Sequence, residues 1–480
     1  QGVDYQQSSE RQYIDGDIAP NIIGHIGMLT AEEYNVLTEE GKTFSSKKSN
    51  YSDSKKYLLS DRIGKDGIEN AMEEELRGST GTRQIVMNNK GDVLDYSITK
   101  EPTPGNTVAL TIDSNLQRKA QQALEKEIHY LNQNAPEGKG READAGAVVA
   151  IDIKTGDVLV AANYPSYNLE TFGQDFEELN KDPLKPMVNR ALMGQYRPGS
   201  CFKPIVATAG LDNGIIDPTS TVNCTYQYTF YDDYQPYCLS RHGPINVYSA
   251  IKHSCNIFFY DVGRRVGIDE INKYATGYGI GQPTGVEIGE GKGRLSSPEF
   301  SASMGVKWEA GNVLQASIGQ LDTEATPIQL ANYAATIANK GQRMKLHLVK
   351  NIQTFDFKQT LYQSDPAIAS KMDTPPEVFN VVRDAMVQTQ RSGSAYSFLG
   401  DYPIDIACKT GTPETTKTGL PNSTFICFAP AEDPQIAIAV VIEKGWHGYT
   451  GAPVARAIFD EYFFGNSAPA INQPNGTVLE

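Results

Sequence analysis

Cysteine is absent from the first 200 of the 480 residues. The six cysteines all follow, at positions 201, 224, 238, 255, 408 and 427. A chain of this length can bury a core large enough to fold without cross-links, which excludes a small disulfide-stapled scaffold. The uneven distribution of the cysteines directs attention to chemistry or metal binding at particular places in the chain.

Long hydrophobic runs are also lacking. The densest apolar run, Ile436 to Ile442, is far shorter than the roughly 20 residues that a membrane-spanning helix needs, and it predicts a buried strand. The sequence begins at Gln1 rather than at a methionine. We therefore expect a leader or membrane anchor to precede it in the native protein.

Positive charge is scarce. The sequence has 43 Lys and Arg against 58 Asp and Glu, which gives a formal net charge of −15. A nucleic-acid partner would require a basic surface, so nucleic acid is excluded as a partner. The hydrophobic content of 39% is sufficient for a packed interior, and the length predicts two domains.

A segment rich in proline and glycine, Glu101 to Asn106, predicts the domain boundary. Residues 1–106 are polar and irregular in pattern, and their Ser/Lys/Asp run from 42 to 56 predicts a solvated loop. Residues 107–465 carry the strand and helix patterns of a second domain. The final segment, 466–480, is rich in Asn, Pro and Gly and predicts a loose tail.

The second domain shows two periodicities. Runs of β-branched and apolar residues predict strands, and apolar residues at helical spacing predict helices. The predicted strands are 108–112, 147–162 (a hairpin that turns at Lys154-Thr-Gly156), 425–430 and 435–443, and the predicted helices are 116–131, 249–266 and 327–340. Strands at both ends with helices between them indicate an α+β fold, in which an antiparallel sheet is flanked by helices.

A serine followed three residues later by a lysine forms a usable nucleophile–base pair on a helix, because positions i and i+3 share a face. The sequence has at least five such matches, which begin at Ser45, Ser52, Ser97, Ser200 and Ser249. Ser200 differs in its context, since a Pro-Gly pair precedes it and an apolar helical run follows Lys203. This context predicts that Ser200 lies at a helix N-terminus, where the macrodipole favours developing negative charge.

Lys-Thr-Gly occurs three times, beginning at Lys154, Lys409 and Lys417. The first falls in the predicted hairpin turn and the third in a polar, threonine-rich loop. Lys409 follows an alternating, strand-like run, so its side chain is expected to project from a sheet edge into a cleft. The residues after it offer hydroxyl groups and a bare backbone to a bound carboxylate: Thr410, Gly411 and Thr412.

The order of the motifs is more informative than any one of them. Ser254-Cys-Asn256 lies between the other two, early in an apolar helical run. The succession Ser200…Lys203, Ser254…Asn256, Lys409-Thr-Gly411 matches the signature of penicillin-binding proteins and serine β-lactamases, and the chain resembles that family.

The resemblance extends beyond the three motifs. Residues 318–341 resemble the Gly-Gln…Thr-Pro-x-Gln segment of the family, with Leu321 at a position where many members carry glycine. Residues 62–81 resemble the head of the non-catalytic pedestal of class B, monofunctional members. The likeness covers roughly 11–464, and segments at 243–260 and 452–464 look most similar to elongation-type or sporulation-type transpeptidases.

The resemblance implies a penicillin-binding/serine β-lactamase-like transpeptidase domain that follows, along the chain, an elongated N-terminal pedestal domain of the dimerisation type. It implies a serine-type D-Ala-D-Ala transpeptidase that cross-links peptidoglycan stem peptides through an acyl-enzyme and is a target of β-lactams. Ser200 would be the nucleophile, Lys203 its base, and Ser254 the relay of the proton to the leaving amine. Asn256 would bind the peptide amide. Lys409, Thr410 and Thr412 would hold the terminal carboxylate, and the backbone N–H groups of Ser200 and Thr412 would hold the oxyanion.

A metal site is also predicted, between the first two motifs. The spacing of Cys238 and His242 suits two ligands from one turn, and thiolate with imidazole is the donor set that zinc prefers. Some elongation-type relatives hold a structural zinc in this loop, partly through a cysteine beside the motif serine. The predicted ligands are Cys224, Cys238, His242 and Cys255, with Asp232 or Asp233 as a substitute for one sulfur. A Cys224–Cys238 disulfide and free thiols are the alternatives.

The resemblance leaves rival functions to test. A serine β-lactamase-like hydrolase would share the motifs but needs a base for the deacylating water, and we find no carboxylate motif for it between Asn256 and Lys409. A penicillin sensor or a scaffold for a membrane glycosyltransferase would not need an intact set of motifs. A zinc hydrolase would need an open coordination position, which a four-ligand site lacks.

The implied partners are peptidoglycan stem peptides, β-lactams, and a membrane glycosyltransferase of the elongation or sporulation machinery. No cofactor is expected for catalysis. The implied location is the extracytoplasmic face of the bacterial cell membrane, with a single N-terminal anchor that would precede Gln1.

Overall fold

The computed structural model describes residues 11–46, 52–415 and 419–465, and the predicted tail at 466–480 lies outside them. The chain divides into two compact units. The smaller unit comprises Gln1–Thr111, Asn168–Asp175 and Val349–Ser364, and the larger one comprises Ile112–Tyr167, Phe176–Leu348 and Asp365–Glu480.

The bounds of the elements follow in chain order. The helices are α1 (Pro20–Ile23), α2 (Ala31–Glu39), α3 (Gly67–Ala71), α4 (Glu73–Leu76), α5 (Ser114–Asn134), α6 (Phe172–Lys181), α7 (Arg190–Met193), α8 (Lys203–Asp212), α9 (Val247–Lys252), α10 (Asn256–Val266), α11 (Ile268–Gly277), α12 (Pro298–Ser303), α13 (Asn312–Ser317), α14 (Pro327–Ala338), α15 (Pro376–Ser392), α16 (Tyr396–Leu399) and α17 (Ala452–Phe464). The strands are β1 (Ile26–Met28), β2 (Arg62–Gly64), β3 (Thr82–Met87), β4 (Val93–Lys100), β5 (Thr107–Leu110), β6 (Ala145–Asp152), β7 (Val158–Tyr164), β8 (Val222–Cys224), β9 (Gly243–Ile245), β10 (Gln342–Met344), β11 (Val349–Gln353), β12 (Thr360–Gln363), β13 (Ile368–Lys371), β14 (Ala407–Gly411), β15 (Ser423–Ala429) and β16 (Ile436–Glu443).

The smaller unit contains more regular structure than its sequence predicts. It holds the β1–β2 pair, the β3–β4 hairpin and a three-stranded sheet in the order β12-β11-β5. The irregular pattern predicted for residues 1–106 was therefore wrong over the strands. The apolar residues of the hairpin are exposed on both strands, so the usual alternation between a buried face and a solvated face gives no clear signal there.

The core of the larger unit is a five-stranded antiparallel sheet in the order β14-β15-β16-β6-β7. The apolar run of β16 lies at the centre and is buried. Helices α5 and α17 pack against the sheet with a shared apolar cluster, and α14 also contacts β16 and β6. The predicted antiparallel sheet flanked by helices is confirmed. Among the described residues, no helix has the length and apolar character needed to cross a bilayer.

The first Lys-Thr-Gly triplet forms the turn between β6 and β7, as predicted. The Asp152 carboxylate accepts hydrogen bonds from the backbone N–H groups of Lys154 and Thr155, at 2.8 Å each. Gly156 adopts a φ of 82°, which suits a residue without a Cβ. These local hydrogen bonds explain the triplet as a structural turn, and no catalytic role is needed to explain it.

The long helix predicted at 249–266 was wrong in its continuity. The chain forms two helices instead, because α9 ends at Lys252 and α10 begins at Asn256. Between them, Ser254 adopts a left-handed φ of 54°. Its carbonyl oxygen accepts a hydrogen bond from Lys203 Nζ at 2.7 Å, a tertiary contact that helical periodicity does not report.

Candidate active site

The nucleophile motif lies on a tight turn that leads into α8. Gly199–Phe202 form a single 3₁₀ turn, and α8 follows directly from Lys203. Pro204 lies in the first turn of α8, where its missing N–H costs no hydrogen bond. Ser200 is partly exposed, whereas Lys203 is completely buried. The predicted placement of Ser200 at the start of a helix agrees with this geometry.

The segment at 318–341 supports the turn from behind. Gly199 N donates to Gly319 O at 2.9 Å, and Tyr196 exchanges two backbone hydrogen bonds with Ala325, each of 2.9 Å. Gly319 has a φ of 70°, and a Cβ at this position would lie 2.2 Å from Gly199 O. The sequence marked this segment only by family likeness, and its contact with the nucleophile turn comes from the structure.

Lys203 Nζ points at the second motif. It lies 2.7 Å from Ser254 O, 3.1 Å from Ser254 Oγ and 2.7 Å from Asn256 Oδ1. In a neutral amine, two N–H groups serve the two closer oxygens, and the lone pair is left for the Ser254 hydroxyl and for the proton that the amine accepts. The structure thus brings together the lysine of the first motif with the serine and asparagine of the second.

Lys409 reaches the same hydroxyl group. Its strand, β14, is the edge strand of the sheet, as predicted, and its side chain is completely buried. Lys409 Nζ donates to Ser254 Oγ at 3.1 Å and to Thr410 O at 2.8 Å. Ser254 Oγ therefore lies 3.1 Å from the amine of Lys203 and 3.1 Å from the amine of Lys409.

The two lysines differ in the protonation state that the structure favours. Burial, and then the positive charge of Lys409, hold the pKa of Lys203 well below its usual value. Burial lowers the pKa of Lys409 to about 8. Near neutral pH the geometry therefore favours a neutral Lys203, able to accept a proton, beside a charged Lys409.

The carboxylate-binding residues predicted after Lys409 line the end of β14. Thr410 Oγ1 lies 2.7 Å from Ser394 Oγ, and Gly448 N donates to Thr412 Oγ1 at 3.1 Å. A Cβ on Gly448 would lie 2.4 Å from Gly411 N, so the two backbones touch directly. Ser394 and Gly448 were missed by the sequence reasoning, since neither belongs to a motif and only the fold brings them here.

The end of β14 also abuts the nucleophile turn. A Cβ on Gly411 would lie 2.5 Å from Pro198 O and 3.2 Å from Cys201 N. Cys201 Sγ donates to Lys409 O at 3.3 Å and to Thr424 O at 3.4 Å, and burial raises the pKa of this thiol to about 12. Cys201 is thus an inert packing residue that fastens the turn to the strand.

A second cluster lies beside the motif serine. The six cysteines are free, so the alternative of a Cys224–Cys238 disulfide is absent from the structure. One thiol or imidazole atom from each of four residues lies within 4.8 Å of all the others: Cys224, Cys238, His242 and Cys255. These are the four residues predicted as metal ligands, and neither Asp232 nor Asp233 belongs to the cluster.

Three of the distances within the cluster are close to the ligand separations of a tetrahedral zinc site. Cys224 Sγ and Cys238 Sγ lie 3.4 Å and 3.6 Å from His242 Nδ1, and Cys238 Sγ lies 3.8 Å from Cys255 Sγ. Ligand bonds of about 2.0–2.3 Å in a tetrahedron give ligand separations of about 3.3–3.8 Å. His242 Nε2 lies 2.9 Å from Ser240 Oγ, the kind of outer contact that orients a metal-binding imidazole.

His253 lies beside this cluster. It follows the last residue of α9, and its ring stacks on the ring of His242 with centroids 5.6 Å apart. Sequence reasoning missed this contact, because it depends on how the loop folds back over α9.

Family models match most of the chain. The model described as the penicillin-binding protein transpeptidase domain matches residues 146–463. The model described as the penicillin-binding protein dimerisation domain matches residues 1–110. One match lies in the N-terminal part of the chain, and the other covers most of the remainder.

Curated relatives and solved structures give the same result. The chain is 30% identical to a peptidoglycan D,D-transpeptidase MrdA of Acinetobacter baumannii, over all of this chain and 70% of the relative. One solved structure is described as showing the structural coordination of polymerization and crosslinking by a peptidoglycan synthase complex. A chain of that structure aligns with a TM-score of 0.82 at 28% sequence identity, and the alignment covers 96% of this chain and 77% of that chain. Pseudomonas aeruginosa PBP2 in complex with WCK 5153 aligns with a TM-score of 0.76 at 30% identity, over 98% and 96% of the two chains.

Substitution of Gly319 tests the support behind the nucleophile turn. Gly319→Ala is expected to lower the free energy of unfolding by about 2 kcal/mol more than Gly214→Ala, because the new Cβ must displace the Gly199 carbonyl. Gly214 is a matched control, since it has a similar φ of 65° and open space around it. Urea denaturation measures both changes, and equal losses would contradict the proposed contact.

Proposed function

The chain belongs to the class B, elongation-type penicillin-binding proteins, and from that premise we propose that Ser200 is its catalytic nucleophile and Lys203 its general base. The protein is a serine-type peptidoglycan D,D-transpeptidase, a target of β-lactams, and its chemistry needs no cofactor. The observation that carries the residue assignment is the convergence of the buried amines of Lys203 and Lys409 on one hydroxyl, that of Ser254.

Acylation follows from the geometry of the turn. Ser200 Oγ attacks the carbonyl carbon of the penultimate D-Ala of a donor stem peptide, and its proton passes to the neutral amine of Lys203. The backbone N–H groups of Ser200 and Thr412 stabilise the oxyanion, since the end of β14 lies against the nucleophile turn. The negative charge forms only during the reaction, so donors fixed by a rigid sheet favour the transition state.

The other motif residues position the substrate and return the proton. Ser254 Oγ relays the proton from Lys203 to the departing D-Ala amine, and Asn256 binds the peptide amide. The charge of Lys409 and the hydroxyl groups of Thr410 and Thr412 hold the terminal carboxylate. The pKa of about 8 keeps Lys409 largely charged near neutral pH.

The geometry favours transfer to an amine over rapid hydrolysis. A serine β-lactamase needs a base that activates water against the acyl-enzyme. Within the described residues, the hydrogen-bond partners of Lys203 and Lys409 are carbonyl, amide and hydroxyl groups, and none is a carboxylate. The acyl-enzyme is therefore expected to persist until an acceptor amine arrives.

We further assign residues 1–106 to the pedestal and residues 107–465 to the catalytic domain. The dimerisation-domain match over residues 1–110 supports the first assignment. A membrane glycosyltransferase is the proposed partner, because a structural relative is described as part of a peptidoglycan synthase complex that coordinates polymerization with crosslinking. The proposed location is the outer face of the cell membrane, with an N-terminal anchor.

A structural zinc is proposed for the four-residue cluster. Cys224, Cys238 and His242 would tie the loop to Cys255, which lies between the two residues of the second motif. Three thiolates and one imidazole fill a tetrahedral site, so the ion would have no open position for catalysis. Bound zinc would stabilise the loop and fix Ser254 and Asn256 in place.

Labelling with a fluorescent penicillin tests the nucleophile. A stable adduct is expected on the peptide that contains Ser200, and Ser200→Ala is expected to abolish it. Ser249→Ala is the matched control, because Ser249 begins another Ser-x-x-Lys match and lies on α9. Mass spectrometry locates the adduct, and an adduct on any other residue overturns the assignment.

The pH dependence of acylation tests the two lysines. The rate constant for reaction with penicillin should rise with pH as Lys203 loses its proton. Above a pH of about 8 it should fall by about tenfold per pH unit as Lys409 loses its charge. In Lys409→Arg, the guanidinium stays protonated and the alkaline fall should disappear, whatever the absolute rate. An unchanged alkaline fall in that variant would contradict the role of Lys409.

Metal analysis tests the zinc proposal. About one zinc per chain is expected in the purified protein, and Cys224→Ser should lose it, melt at a lower temperature and acylate about tenfold more slowly. Asp233→Asn is the control and should retain the metal, because its carboxylate lies outside the cluster. Protein without zinc, with Cys224→Ser unchanged in melting and acylation, would rule the proposal out.

A further inference from the structure

Two exposed tyrosines stand side by side on the loop that carries Cys224, Cys238 and His242. Tyr226 is 45% exposed and Tyr237 is 54% exposed. Their ring centroids lie 5.3 Å apart with the planes tilted by 48°. We call these two side chains the tyrosine pair. Large aromatic rings that are half exposed and adjacent offer a continuous apolar surface, with a polar hydroxyl at each tip.

The tyrosine pair is held by hydrogen bonds within its own loop. Cys238 N donates to Tyr226 O at 2.7 Å, and Gln227 Nε2 donates to Tyr237 Oη at 3.1 Å. Tyr226 adopts a φ of 85°, a region that bulky residues rarely occupy. The loop therefore keeps Tyr226 in a strained conformation that places its ring beside that of Tyr237.

A direct hydrogen bond joins the backbone of Tyr237 to the catalytic centre. Asn256 Nδ2 donates to the carbonyl oxygen of Tyr237 at 3.2 Å, while Asn256 Oδ1 accepts from Lys203 Nζ at 2.7 Å. One amide side chain thus contacts both the general base and the residue that carries one of the exposed rings. Tyr237 therefore lies next to Asn256, on the side of the site that carries the second motif.

The reaction requires a second substrate on this side of the cleft. After acylation, the amine of an acceptor stem peptide attacks the ester carbonyl of Ser200. The new C–N bond forms, the C–Oγ bond breaks, and the amine proton returns to Ser200 Oγ through Ser254 and Lys203. Since the departing D-Ala amine leaves beside Ser254, the incoming amine must enter at the same place, by microscopic reversibility.

We propose that the tyrosine pair is the acceptor subsite, on which the chain of the incoming stem peptide packs as its amine reaches Ser254. This inference rests on the proposed roles of Ser200 and Ser254. The apolar ring faces bury the aliphatic parts of the peptide, and the hydroxyl groups remain near its amide groups. The donor peptide, by contrast, is held through its carboxylate at Lys409 and does not need the pair.

Comparison of a long acceptor with a short one tests the proposal. The donor is a synthetic stem pentapeptide ending in D-Ala-D-Ala, and the acceptors are a stem tetrapeptide and free D-methionine, which is too short to extend over both rings. In the double variant Tyr226→Ala/Tyr237→Ala, kcat/KM for the tetrapeptide should fall by about tenfold. The rates for D-methionine and for acylation by penicillin should each change by less than about twofold.

Two further variants sharpen the comparison. Tyr226→Phe/Tyr237→Phe keeps both rings and should retain most of the tetrapeptide rate. Tyr130→Ala is the matched control, because Tyr130 is 49% exposed on α5. This substitution removes an exposed ring elsewhere and should leave all three rates unchanged.

The outcomes separate this inference from the proposed function. An unchanged tetrapeptide rate in the double alanine variant overturns the subsite, as does an equal fall of all three rates, which would indicate a structural role. Failure of penicillin to label Ser200 in the unmodified protein would instead remove the proposed function itself.

Discussion

The buried amine of Lys203 is the constraint on which the site depends. Its side chain has no exposed surface, and within the described part of the chain its nitrogen finds oxygen partners only on Ser254 and Asn256. Removal from water disfavours the protonated, ammonium form of this amine. The positive charge of Lys409, which contacts the same hydroxyl group, disfavours the protonated form further. Folding thereby supplies a base that an exposed lysine would not provide at neutral pH.

Three segments distant in sequence must meet within a few ångströms for this arrangement to exist. The sheet makes that meeting reproducible, because β14 is fixed in register against β15 from Ala407 to Gly411. Cys201 connects the nucleophile turn to the end of β14 through its hydrogen bond to the Lys409 carbonyl oxygen. Gly319 allows the 318–341 segment to pack directly against the same turn. Most of these supporting contacts involve backbone atoms, which leaves the side chains of the motifs free for chemistry.

Much of the site could be predicted from the sequence, and the missing parts have a physical cause. The order of the motifs selected Ser200, and an alternating run before Lys409 indicated the sheet edge. The break at Ser254 could not be predicted, because the apolar spacing continues across it and a tertiary hydrogen bond compensates for its backbone conformation. The strands of the smaller unit were missed because their apolar residues remain exposed, and periodicity reports burial rather than hydrogen bonding.

The contact between Gly411 and Gly448 limits which amino-acid substitutions such an enzyme can accumulate during evolution. A Cβ at either glycine would collide with main-chain atoms that cannot move aside, since both segments belong to the sheet and its adjoining turn. A substitution at either glycine that reduced sensitivity to an inhibitor bound at this edge would therefore also destabilise the fold. Selection is left with the surrounding side chains, where an altered shape or charge leaves the main chain intact.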